Sequence, residues 1–138
     1  MHANAYANQY RHTSTTSAVL DASPHQLVLL MLSGARERVR LAGACIDRGD
    51  IVRKAKAISE ASAIIAGLSG TLDMKAGGDI AAGLQSLYDY FQRKLVEANA
   101  GNNAAALAEV DDLLGDIEGA WKAIDPDAPA TAPEPMAQ

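Results

Sequence analysis

Apolar residues recur along this chain at steps of three and four, in four separate blocks, each bounded by turn-forming residues. That spacing puts the side chains of a block on one face of an α-helix. The first block opens at Ser23-Pro24, a capping side chain followed by proline at the first helical position, and predicts a helix over about 24–47. Leu27, Leu30, Met31, Gly34, Leu41 and Cys45 form one stripe along it; Val28, Leu32, Ala35, Val39 and Ile46 form a second beside the first. An arc this wide either needs two neighbouring helices to cover it or leaves part of itself to a partner.

Arg48-Gly49-Asp50 reads as a turn, with glycine at the helix C-terminus and aspartate ready to cap the next helix. The second helix is predicted over about 51–72. Ile51, Ile58, Ile65 and Leu72 repeat every seven residues, with Ala61 and Leu68 between them. That is the seam of helices packed at about +20°. Gly77-Gly78 then breaks the chain, Asp79 can cap, and a third helix follows to about Asn99. Ile80, Leu84, Leu87, Tyr88, Phe91 and Leu95 share one face of it. Tyr88, Tyr90 and Phe91 cannot share a face, because successive helical positions lie about 100° apart, so at least one ring points away from the central core. Asn99, Gly101, Asn102 and Asn103 make the last turn. Leu107, Val110, Leu114, Ile117, Trp121 and Ile124 mark a fourth helix, which Asp125-Pro126 ends.

Four helices of about 20 residues with short connections predict an all-α fold, an antiparallel up-down-up-down four-helix bundle over residues 23–125. Residues 1–22 are polar and rich in alanine, and are expected to be a flexible N-terminal arm carrying Tyr6 and Tyr10. Residues 126–138 hold four of the five prolines and are expected to be a disordered Ala/Pro-rich tail.

Composition agrees with this. At 138 residues the chain is one domain's worth of core, and 49% hydrophobic with 4% aromatic content suits helices better than sheets. A net charge of −5 argues against nucleic acid as a partner. No apolar run approaches the ~20 residues that span a bilayer, so direct membrane insertion is not expected. The opening MHANAYANQYRH lacks the features of a signal peptide, and a cytoplasmic location is expected. Cys45, the single cysteine, reads as a small buried hydrophobe.

Candidate chemistry is sparse. His2 and His12 fall in the arm and His25 in the first turn of helix one, none paired at i, i+3 or i+4 with another ligand. No Glu-x-x-His, Gly-x-Ser-x-Gly or P-loop is present. An enzyme is not expected, nor a cofactor or metal. Charge is more telling. Seven basic residues stand against three acidic ones between Arg36 and Lys56, whereas helix four carries Glu109, Asp111, Asp112, Asp116 and Glu118 before its first base, Lys122. Such runs either pair between helices or steer a partner.

An apolar groove between helices is where an amphipathic partner helix docks. The candidate partner-binding residues are Leu27, Leu30 and Met31 on helix one, Ile58, Ile65 and Leu68 on helix two, and Leu84, Leu87, Tyr88, Tyr90 and Phe91 on helix three. Tyr6 and Tyr10 join them as rings of a removable lid. Most of Ile58, Ile65, Leu68, Leu84, Leu87 and Phe91 fit plain core better than a docking surface, and the docking role stays open beside it.

The ordered set of segments resembles one family, the flagellar export chaperones called FliS. SPHQLVLLML opens helix one, ISEASAIIAGLSGTLD closes helix two, GGDIAAGLQSLYDYFQRKLVEAN forms helix three and LAEVDDLLGDIEGAWKAI helix four. With Tyr6 and Tyr10 the resemblance spans residues 6–124. It implies a helical bundle without catalysis that binds the C-terminal segment of flagellin before secretion. That segment is disordered alone, becomes helical around the chaperone, and is kept from polymerising. The resemblance further implies that the arm vacates part of the groove and that the client complex meets the flagellar export gate. On helix one the chain departs from the family pattern: Leu32 stands where Tyr is common, and Arg36 and Arg38 where larger apolar residues are. An empty groove can also take a second copy, so monomer and homodimer both fit. The same groove would equally suit an adaptor for another amphipathic helix.

Overall fold

A computed structural model describes residues 20–124 of the chain. Tyr6, Tyr10, the rest of the arm before residue 20 and the tail lie outside the described residues. Four helices make up the described part: α1 (Pro24–Arg48), α2 (Ile51–Gly70), α3 (Met74–Gly101) and α4 (Ala104–Ala123). α1 and α3 each pack against both α2 and α4, which closes the four into the ring of an up-down-up-down bundle.

Local chemistry sets the ends. The Ser23 side chain accepts from the Gln26 amide while Gln26 reaches back to the Ser23 amide, a reciprocal cap beside Pro24. Gly49, at φ 71°, takes the left-handed conformation that closes α1, and Asp50 caps α2 through the Arg53 amide. Asn102, at φ 48°, closes α3. The second connection differs from the sequence expectation. α2 ends at Gly70, and the cap of the next helix is Asp73, upstream of Asp79, with Oδ1 accepting from the Lys75 and Ala76 amides. One helical turn forms there before Gly78, at φ 51° and ψ −129°, kinks α3.

The core is aliphatic with one large ring: Leu32 and Val39 from α1, Ile65 and Leu68 from α2, Phe91 and Leu95 from α3, Leu107, Val110 and Leu114 from α4. Enclosing each Leu, Ile or Phe contributes about 1.5–3 kcal/mol before conformational entropy is charged against it. Cys45 is buried too, as its small size suggests. The wide arc of α1 is divided. Its neighbours cover Leu32, Ala35, Val39 and Ala42, while Leu27, Leu30 and Met31 near its start stay partly exposed.

Each seam of the ring also carries a polar clamp. Arg38 donates to Glu60 across α1/α2 at 2.9 Å. Across α2/α3, the Ser62 hydroxyl donates to Gln92 Oε1 at 2.6 Å and Gln92 Nε2 donates to the Ser62 carbonyl at 2.9 Å. The Tyr90 hydroxyl donates to Glu109 at 2.6 Å across α3/α4. Between α1 and α4, Arg36 donates to Asp111 at 2.8 Å and to Glu118 at 2.7 Å, and Arg40 to Asp111 at 3.0 Å. The basic and acidic runs of the sequence therefore meet at this seam. The Arg36 guanidinium lies over Gly115, where an added Cβ would sit 3.0 Å from Cζ. Burial alone would raise the Asp111 pKa, but hydrogen bonds from Arg36 and Arg40 outweigh it and hold the carboxyl below its ordinary value.

At the opposite end from the α1 N-terminus, Lys54 is only 3% exposed. Its ammonium donates to the Asn99 carbonyl at 2.8 Å and to Asn102 Oδ1 at 2.5 Å. It thus satisfies oxygens at the C-terminal end of α3 with a positive charge, where the helix dipole favours one.

Candidate functional site

The kink in α3 leaves one corner of the bundle open. A cleft of about 540 Å³ lies where α1 begins, α2 ends, α3 bends and α4 finishes. Leu27 and Val28 reach it from α1, Ala81, Leu84 and Tyr88 from α3, Ile117 and Trp121 from α4. Residues 71–73, Ala76, Gly77 and Ile80 close the remaining side. Tyr88 and Ala81 are almost fully enclosed and form the floor, whereas Ile80 is 78% exposed and forms a rim. Burial also pushes the Tyr88 phenol above its ordinary pKa, so the ring stays neutral.

Two aromatic rings brace the corner. Trp121 stacks on His25 with 5.1 Å between centroids and 11° between planes. The indole Nε1–H donates to the His25 carbonyl at 3.1 Å. Among the described residues none gives the buried His25 Nε2 a hydrogen-bond partner. The walls are otherwise aliphatic, with Thr71 and Asp73 as further polar groups on one side. Among the described residues no three His, Cys, Asp or Glu side chains gather as metal ligands. None of the described helices is long and apolar enough to cross a membrane. The arrangement offers apolar contact to a chain segment. A helix about 10 Å across rising 1.5 Å per residue fills ~120 Å³ per residue, so the cleft takes about one helical turn or a short extended stretch.

The residues singled out from the sequence separate here into several environments. Leu27, Leu84 and Tyr88 converge on the cleft. Leu30 and Met31 line a smaller depression of about 430 Å³ with Leu27, Gly34, Ile64 and the charged Glu37 and Arg38 on the α1/α2 face. Ile58, itself buried, lies beneath a groove between α2 and α3 that Ala55, Ser59, Leu95 and Val96 also line. Ile65, Leu68 and Phe91 are wholly enclosed in the core, and Leu87 packs against that core partly exposed. Tyr90 is the ring that leaves the centre, lying on the α3/α4 seam with Lys94 5.5 Å from its centroid. Its hydrogen bond to Glu109 raises its pKa above the ordinary phenol value.

Sequence reasoning passed over His25, Ile117 and Trp121 as site residues. Trp121 had a signal, since the one indole of the chain stands at the last turn of a helix, where a ring of that size overhangs the bundle end. His25 had none, because its importance comes from stacking on a residue 96 positions away.

Comparison with known proteins completes the picture. A family model described as flagellar protein FliS matches residues 6–128. The chain is 45% identical over 120 residues to the flagellar secretion chaperone FliS of Salmonella typhimurium, covering 86% of this chain and 89% of that one. It is 38% identical over 124 residues to the flagellar secretion chaperone FliSB of Pseudomonas aeruginosa, covering 90% and 98%. The Bacillus subtilis flagellar secretion chaperone FliS is 35% identical over 106 residues, or 77% and 78% of the two chains. Matched along nearly its whole length by the family model, and by relatives it covers almost completely, the chain belongs to the FliS family of flagellar proteins.

Proposed function

We propose that this chain is a cytoplasmic flagellar secretion chaperone that binds the disordered C-terminal segment of flagellin, prevents its premature polymerisation and keeps it competent for export. The observation that carries this reading is the apolar cleft walled by Leu27, Leu84, Tyr88, Ile117 and Trp121. Flagellin subunits polymerise by burying apolar helical faces against one another, and a chaperone offering an equivalent apolar surface competes for those faces. The cleft takes about one helical turn. The rest of a longer segment then follows the smaller α1/α2 depression at Leu30 and Met31 and the α2/α3 groove above Ile58. Ordering such a client costs about 2–5 kcal/mol, which keeps the complex reversible and lets the export gate take the client over.

Tyr10 stands 14 positions before Pro24, which itself lines the cleft. In this reading Tyr6 and Tyr10 lie over apolar surface while no client is bound and give way when one arrives. The test is co-elution with full-length flagellin against flagellin lacking its last ~40 residues, about two helices at 1.5 Å per residue. Binding is expected only with the intact client, as a monomeric complex or one per copy of a homodimer. Equal binding to both forms would overturn the proposed site, and capture of an unrelated amphipathic helix with equal strength would favour an adaptor.

A further inference from the structure

The side of the cleft formed by residues 71–77 is built differently from the other walls. Asp73 caps a single turn, with Oδ1 accepting from Lys75 N at 3.1 Å and Ala76 N at 2.9 Å, and Gly77 N donates to the Asp73 carbonyl at 2.7 Å. The turn is therefore wound within itself. Its side chains are largely exposed, Met74 at 51%, and Leu72 is the partly buried residue that packs it on the core. Segments with few enclosed contacts open at far lower free energy than the body of a fold. On its other side the turn meets Gly78, whose φ of 51° with ψ −129° is a conformation that side chains disfavour.

Gly77 adds a second, independent constraint. A Cβ there would lie 2.7 Å from the Ala81 Cβ, too close for any side chain. In an unbroken helix the same two positions, four apart, hold their Cβ atoms about 5–6 Å apart without conflict. Both glycines are thus needed only for the bent form. Neither is needed for a straight one, in which alanine is the better residue.

We propose that residues 74–77 are a hinged lip of the cleft, pivoting at Gly77-Gly78 between this bent state and a straightened state that carries Ala76 and Gly77 out of the wall. Opening admits the client and bending closes over it. The use made of the opening rests on the cleft being the docking place; the hinge itself does not. Because a binding-competent state populated only fractionally lowers apparent affinity by that fraction, biasing the hinge changes client association.

Hydrogen exchange on the full-length wild-type chain tests the lip directly. Peptides covering residues 71–80 are expected to exchange at least about tenfold faster than those covering 81–101. Exchange equally slow in both would overturn the proposal without any variant. Gly77→Ala and Gly78→Ala are each expected to straighten the hinge. Acrylamide quenching of Trp121 should then rise, and a flagellin C-terminal peptide should associate several-fold faster. Gly83→Ala, on the same helix with open space around its Cβ, is the control and should change neither. Folded Gly77→Ala and Gly78→Ala chains that quench like wild type would also overturn the hinge. Failure of the peptide to alter Trp121 fluorescence in any chain would overturn the docking reading alone, leaving the hinge to be judged by exchange and quenching.

Discussion

Trp121 hangs the end of α4 on the first turn of α1, its indole N–H donating to the His25 carbonyl at 3.1 Å while the two rings stack. It is the single tryptophan of the chain and lines the cleft, so indole fluorescence reads this corner of the bundle. Titration with a flagellin C-terminal peptide should shift the emission to the blue and reduce acrylamide quenching. An emission spectrum unchanged at saturation would place the peptide elsewhere on the bundle.

Ile80 tests the cleft without endangering the fold. It lines the opening but is 78% exposed, so Ile80→Asp should alter stability by no more than about 0.5 kcal/mol. A charge set against an apolar client face should weaken flagellin binding by at least about tenfold, or 1.4 kcal/mol. Leu84→Asp should abolish binding, and circular dichroism must show that variant folded before the loss is counted. Wild-type affinity in Ile80→Asp would remove the rim from the interface.

Asp111 makes the bundle acid-sensitive in a defined window. Its carboxyl titrates below the ordinary value because Arg36 and Arg40 donate to it, despite partial burial. A depressed folded pKa means that this stabilisation is complete above the unfolded value of about 4 and is lost as pH falls through the lower folded value. Asp111→Asn should cost about 1–2 kcal/mol at pH 7, between the effects of exposed and fully buried pairs. The difference from wild type should shrink below about pH 4. Urea denaturation across that range measures it; a difference independent of pH would refute the ionic origin.

Lys54 should matter for stability alone. Lys54→Met keeps the stem but strands the Asn99 carbonyl and Asn102 Oδ1, an expected loss of about 1–3 kcal/mol. Flagellin binding by the folded variant should be unchanged, because Lys54 sits at the far end of the bundle from the cleft. Reduced affinity at equal folding would show that the far end takes part in docking.

Much of this architecture was legible in the chain itself. Caps at Ser23 and Asp50, the left-handed Gly49 and the three-four periodicity are local signals, and they set the helices and their order. The start of α3 was less legible. Asp73 and Asp79 are both good caps with glycines between them; Asp73 caps a separate first turn, and the non-helical Gly78 divides it from the helix that follows. The site was legible only in part. Periodicity says that Leu68, Leu84 and Phe91 are apolar-facing, but not how much of that face a neighbour covers. Phe91 and Leu68 proved to be enclosed, while the bend at Gly78 left Leu84 at an open corner. His25 could not be found this way, since its partner comes from the last turn of the last helix.

The clamps at the four seams have a mechanical corollary. A helix sliding by one turn along its neighbour would separate Arg38 from Glu60, Ser62 from Gln92, Tyr90 from Glu109, or Arg36 from Asp111 together with Glu118, so lateral slippage is penalised on every edge of the frame. Compliance is thereby channelled to the kinked corner, and the molecule behaves as a stiff handle with one yielding jaw.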